Sequence, residues 1–91
     1  MPPRRRVKAR TPELASLGEA IRHIRLEAEL SQEELADLAE TDAKQIGDLE
    51  RGAGNPSYMT LALVASALEI RIGELTTLAD RLHDRRRLAE Q

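Results

Sequence analysis

Cysteine, phenylalanine and tryptophan are absent from this 91-residue chain, and Tyr58 is its single residue of the Phe/Trp/Tyr class. Without cysteine there is neither a disulfide framework nor a thiolate metal site. With aromatics at 1% the core has to come from Leu, Ile, Val and Ala, which suits a helical bundle better than a sheet. Long apolar runs are missing too: no segment approaches the roughly 20 residues that span a bilayer. The basic start, MPPRRRVKAR, leads into no apolar segment and so does not read as a secretory signal. The expectation is one soluble, cytoplasmic domain, away from membranes, with a single modest core.

Charge is plentiful but unevenly placed. Residues 1–12 hold Arg4, Arg5, Arg6, Lys8 and Arg10 and no acid. Residues 13–80 hold five bases against fourteen acids, and residues 81–91 hold four arginines against Asp84 and Glu90. The net −2 conceals this division. A nucleic-acid binder ordinarily carries a basic footprint; here the central segment lacks one and the two ends supply it. Residues 1–12, with three prolines among them, read as a disordered basic arm.

The rest of the chain is patterned for helices. Leu14, Leu17, Ile21, Ile24 and Ala28 recur at helical spacing behind an N-cap at Thr11, predicting a helix from Pro12 or Glu13 to about Glu29. Ser31 and Glu34 spell a capping box, with Leu35, Leu38 and Ala39 on one face of a second helix. Asp42 stands where another N-cap belongs, Ile46 and Leu49 form that third helix's apolar stripe, and Gly52 follows in the left-handed position. Two short capped helices separated by a tight turn form a helix-turn-helix, which sets its second helix in the DNA major groove. After the loop RGAGNPS, Ser57 caps a fourth helix with Leu61, Val64, Ala65 and Leu68 as its apolar positions. A fifth begins near Gly73, carries Leu75, Leu78, Ala79 and Leu82 on one side, and runs to about Leu88. Five short helices with small connections predict an all-α domain.

The segments LGEAIRHIR, LSQEELADLA, QIGDLERG, NPS and LALVASALEI–GEL, in this order and at these intervals, resemble the Cro/C1-type helix-turn-helix domain of phage repressors and xenobiotic-response-element-like regulators. The resemblance covers Leu17 to Leu75 and implies a compact five-helix, lambda-repressor-like domain. The chain then divides into a basic arm (1–12), the helix-turn-helix domain (13–76) and a C-terminal helical extension (77–91). The resemblance implies that Gln32 faces a DNA phosphate with its amide and the helix N-terminus. It turns Ala43, Lys44, Gln45, Gly47 and Asp48 outward on the recognition helix, with Ala43, Lys44 and Asp48 at base-reading positions. Arg51, Asn55 and Ser57 join the DNA-facing set, the last two on phosphates. Arg4, Arg5 and Arg6 are expected to reach a minor groove or run along phosphates. Arg25 and Glu50 match a pair that, in family members, forms a largely buried salt bridge between the first and third helices.

Several positions depart from that pattern. Glu40 and Thr41 stand where glycine and an apolar residue are usual, and Glu40, Asp42 and Asp48 put three acids on or beside the DNA-facing surface. Asp48 has two readings: acceptor from a cytosine amino group, or a charge repelled by phosphate. Gly47 is either a site of close approach to DNA or a plain solvent-facing glycine. Tyr58 packs or bonds a phosphate. Arg85, Arg86 and Arg87 read as a solvated helix end favoured by the dipole. Leu82 and Leu88 are the candidates for a two-fold dimer seam.

Catalysis finds no support. His23 and His83 have no metal-ligand spacing, Ser31 and Ser57 are accounted for as caps, and GAGNP lacks the lysine of a phosphate loop. No metal and no cofactor are expected. The function expected is a sequence-specific, double-stranded-DNA-binding transcriptional regulator, homodimeric, acting as a repressor or autoregulator. The rival is an antitoxin or other interaction module that uses the same fold on a protein partner, such as a toxin, with little DNA binding.

Overall fold

The computed structural model describes residues 11–90. Over them the chain forms five helices and no strand: α1 (Pro12–Glu27), α2 (Gln32–Leu38), α3 (Ala43–Glu50), α4 (Tyr58–Ala67) and α5 (Ile72–Ala89). This is the five-helix, all-α architecture that the spacing predicts. None of these helices is long and apolar enough to cross a membrane.

Each of the first four helices starts on a side-chain oxygen. Thr11 accepts from the Leu14 N–H at 3.2 Å, Asp42 from Gln45 at 2.7 Å and Ser57 from Thr60 at 3.1 Å. At α2 the box is reciprocal: Ser31 Oγ accepts from the Glu34 N–H at 3.0 Å, and Glu34 Oε1 accepts from the Ser31 N–H at 2.9 Å. That backbone bond from Ser31, aided by its hydroxyl, holds the Glu34 carboxyl below the usual carboxylate range. Arg71 has no acceptor to offer α5, so only the returning half of a box is made, from the Arg71 N–H to Glu74 Oε1 at 3.1 Å.

The helix ends follow one device. α1, α2, α3 and α4 each close with an amide reaching back five residues: Leu30 to Arg25, Thr41 to Ala36, Ala53 to Asp48 and Ile70 to Ala65, at 2.9–3.1 Å. The motif requires a left-handed residue, and the four are Glu29 (φ 59°), Glu40 (φ 58°), Gly52 (φ 72°) and Glu69 (φ 59°). Only position 52 has no room for a side chain, because a β-carbon there would come within 2.8 Å of Ala15 Cα. The three glutamates accept a left-handed backbone at about 1–2 kcal/mol each, and set a negative charge at the unfavourable end of a helix.

One large aliphatic side chain from each helix reaches zero exposure: Ile21, Leu35, Ile46, Val64 and Leu75. Two residues expected in this core are exposed. Leu38 is 58% exposed, because the seven-residue α2 buries Leu35, Ala36 and Ala39 and so turns Leu38 outward. Ala28, the C-cap of α1, is exposed as well. Gly18, to which the hydrophobic pattern gives no role, is where α1 meets α3: a β-carbon there would lie 2.2 Å from the Leu49 carbonyl oxygen and 2.6 Å from that of Glu50.

α5 lies along α1, and its later turns belong to the same body. Leu78 and Leu82 pack against the core, Arg86 pairs with Glu19, and His83 Nε2 is 3.9 Å from Glu13 Oε1. Leu82, expected at a dimer seam, is therefore half-buried in its own subunit, while Leu88 stays exposed.

Glycine at position 40 and alanine at position 18 are expected to move stability in opposite directions. Glu40→Gly should gain about 0.5–1 kcal/mol by relieving the left-handed backbone, net of glycine's greater freedom when unfolded. Gly18→Ala should lose about 2–3 kcal/mol through overpacking against α3. Urea unfolding midpoints of the two variants check both signs.

Candidate nucleic-acid interface

α2 packs its Leu35–Ala36–Ala39 stripe against Ile46 and Leu49 of α3, all buried, and the turn between the helices runs through left-handed Glu40. That packing decides which side of α3 is left over. Lys44 and Gln45 are exposed and Ala43 and Asp48 half-buried along the outer edge. Arg51 follows as the C-cap, and Asn55 is exposed in the loop beyond. A shallow groove lined by Gln45, Asp48, Gly54 and Asn55, among others, joins the outer edge of α3 to that loop.

A buried ionic network sets the angle of α3. The Arg25 guanidinium, 6% exposed, donates from Nε to Glu50 Oε2 at 2.6 Å and from Nη2 to Glu50 Oε1 at 3.0 Å. Its Nη1 donates to the Leu30 carbonyl at 2.8 Å. Glu50 Oε1 also accepts from the Gln32 amide at 3.1 Å. One guanidinium thus ties α1, the α1–α2 turn and the end of α3, and Gln32 adds the first residue of α2. The hydrogen bond to Glu50 raises the Arg25 pKa against the opposing effect of burial, so the guanidinium stays charged.

The outer surface carries a second network. Lys44 Nζ is 3.1 Å from Asp48 Oδ2, and Arg51 Nη2 reaches the other carboxylate oxygen at 2.5 Å. The hydrogen bond from Lys44, with Arg51 adding, holds the Asp48 carboxyl below its ordinary value. The Thr41 hydroxyl bonds the Gln45 side-chain oxygen. Ser57 spends its hydroxyl on the N-terminus of α4, where it meets both the Thr60 amide and the Thr60 hydroxyl.

Of the residues singled out in the sequence, Ala43, Lys44, Gln45, Asp48 and Arg51 come together on one edge of α3, with Asn55 beside it. Gly47 does not share that exposure. It is buried, and a β-carbon on it would face Arg51 Nη1 at 3.2 Å and Gln32 Oε1 at 3.7 Å. The expectation of an open Gly47 is corrected: the Arg51 and Gln32 side chains cover it. Gln32 lies at the start of α2, but its amide is directed to Glu50. Arg4, Arg5 and Arg6 lie outside the described residues. Sequence reasoning missed the Lys44–Asp48–Arg51 link, although spacings of four and three residues on one helix are the signal for such pairs.

Two capped helices in the middle of a five-helix bundle, the second held by the first and turned outward along one edge, define a helix-turn-helix domain. The helix-turn-helix family model matches residues 21–75, more than half of the chain, and the chain belongs to that family in its Cro/C1-type form. It is 38% identical over 60 residues to the immunity repressor protein of Bacillus phage phi105, a match that covers 66% of this chain and 42% of the repressor. The chain thus spans less than half the length of that relative. Among solved structures it resembles the restriction-modification controller protein C.AhdI from Aeromonas hydrophila, with 37% identity and a TM-score of 0.70 over 71% of this chain and 98% of that one. It also resembles the restriction-modification controller protein C.Esp1396I, described as a tetramer in complex with its natural 35 base-pair operator, with 26% identity, a TM-score of 0.75, and coverage of 81% and 97%.

Removing one partner of the buried pair exposes its importance. Glu50→Ala should cost about 3–5 kcal/mol because the Arg25 charge is left buried and unpaired. Replacing Arg25 and Glu50 together by Met and Leu should cost far less, since both desolvation penalties disappear. Chemical denaturation of the single and double variants makes the comparison.

Proposed function

We propose that the protein is a sequence-specific, double-stranded-DNA-binding transcriptional regulator, acting as a homodimeric repressor or autoregulator at the nucleoid. The observation that carries this reading is the exposed edge of α3, with Ala43, Lys44, Gln45, Asp48 and Arg51 aligned beside Asn55 on a helix-turn-helix. In this reading α3 enters the major groove, and Lys44 and Asp48 meet base edges. The N-terminus of α2 at Gln32 and the loop at Asn55 and Ser57 approach phosphates. The work is binding, not catalysis. Support comes from family membership and from the nature of the relatives: a phage repressor and two restriction-modification controllers, one of them complexed with its operator.

Electrostatics assign a task to the arm. Between Ala39 and Ser57 the only bases are Lys44 and Arg51, and both are paired with Asp48. Phosphate neutralisation therefore falls to Arg4, Arg5, Arg6, Lys8 and Arg10, and a second subunit doubles their number. A dimer also serves specificity, because one recognition helix reads few bases. Exposed Leu88 is left as the candidate residue for a seam.

The same neutralised surface favours a second reading, in which the acidic body binds a basic protein, as an antitoxin would, and DNA only weakly. A gel shift of the purified protein on the DNA upstream of its own gene separates the two. A shift at low salt that survives competition by mixed-sequence DNA supports the regulator. Absence of any shift, together with tight binding to the product of a neighbouring gene, supports the interaction module. Deleting residues 2–10 should flatten the salt dependence by about 0.9 in the log–log slope for each phosphate that the arm neutralises. An unchanged slope in the truncated protein would remove the arm from the interface.

A further inference from the structure

A single carboxylate holds both cations on the outer edge of α3. Asp48 Oδ2 takes Lys44 Nζ at 3.1 Å while Oδ1 takes Arg51 Nη2, so each oxygen serves a different base. The Arg51 guanidinium is also seated over bare backbone: a β-carbon on Gly47 would come within 3.2 Å of its Nη1 and 3.7 Å of its Nη2. Arg51 therefore lies back along the helix. The absence of a side chain at 47 and the carboxylate at 48 act on the same cation.

We propose that Asp48 is a positioning residue that sets specificity, by holding Lys44 and Arg51 against α3 and withholding them from the phosphates of arbitrary DNA. The inference rests on the DNA-binding reading above. Exposed ion pairs are weak, whereas a bidentate contact from arginine or lysine to guanine O6 and N7 is among the strongest base contacts. A guanine edge presented opposite the helix therefore outcompetes Asp48 for a cation. A phosphate can also accept an arginine fork through two oxygens, but taking a cation from Asp48 only exchanges one exposed ion pair for another and gains little. Asp48 thus works as a discriminator by lowering affinity for the wrong sequences more than for the right one, which is how repulsive or competing elements raise specificity. Its carboxyl, held below the usual range by Lys44 first and Arg51 second, stays ionised at neutral pH.

The test uses the full chain, a duplex from the region upstream of its own gene, and a mixed-sequence duplex of equal length. Asp48→Asn should raise affinity for the mixed duplex about tenfold at low salt and steepen its log–log salt slope by up to ~1.8, as two more neutralised phosphates would. The ratio of upstream to mixed affinity should fall. Repeating the substitution in a Lys44→Gln/Arg51→Gln background should abolish the gain. Gly47→Ala, which displaces the Arg51 guanidinium and leaves Asp48 in place, should give a smaller gain of the same sign. If Asp48→Asn binds the mixed duplex as the parent does, with an unchanged slope, the proposal is overturned. An equal gain without the two cations also overturns it, since Asp48 would then be only a repelling charge. If parent and variant alike bind neither duplex at low salt, the DNA-binding reading itself fails, and that result is distinct from the other two.

Discussion

The buried contact between Arg25 and Glu50 is what the orientation of the helix-turn-helix depends on. The guanidinium spends three nitrogens on two partners, Glu50 and the Leu30 carbonyl, and Glu50 passes the constraint on to Gln32. Such a pair adds little net stability, because desolvating two charges offsets most of their attraction. Its value is geometric: bonds of 2.6–3.1 Å leave α3 few other angles at which its last turn is satisfied. Gly18 acts on the same turn from the apolar side, letting the α1 backbone come up against the Leu49 and Glu50 carbonyls. Both restraints grip the C-terminal end of α3, so its N-terminal half, with Lys44 85% exposed in its side chain, is left to project.

Shape and charge are divided between different parts of the chain. The helix bundle supplies a rigid edge of defined outline, yet its body is acidic and the two bases on that edge are compensated by Asp48. The five bases of the N-terminal segment lie before the first cap at Thr11. In the DNA-binding reading, attraction and selection are thus carried by separate segments, and each can change without disturbing the other.

Local chemistry explains which features are legible in the sequence. Thr11, Ser31, Asp42 and Ser57 act as caps within three residues of themselves, and a signal with so short a reach is fully contained in the sequence. Periodicity identifies the buried residue of every helix but not the partner that covers each face, so it places Leu38 and Ala28 inside and leaves Gly47 outside. A seven-residue α2 has too few turns for its stripe to be unambiguous. Gly18 carries no hydrophobic signal, and its role exists only where α3 crosses α1. Arg25 and Glu50 are 25 residues apart, so their pairing follows from the family resemblance and not from spacing. The inward turn of α5, which takes Leu82 from the surface, depends on tertiary packing alone.

The three left-handed glutamates have a consequence for the population of the domain. Their combined strain is about 3 kcal/mol or more, and a domain's whole margin is roughly 5–15 kcal/mol. Against glycine at the same sites, whose greater freedom when unfolded leaves a net difference of about 0.5–1 kcal/mol each, they raise the unfolded fraction at equilibrium by roughly ten- to a hundredfold. An unfolded fraction of that kind is the substrate that cellular proteases sample. Residues 29 and 69, remote in sequence from α3, and residue 40, in the turn that leads into it, thereby bear on how long each molecule lasts.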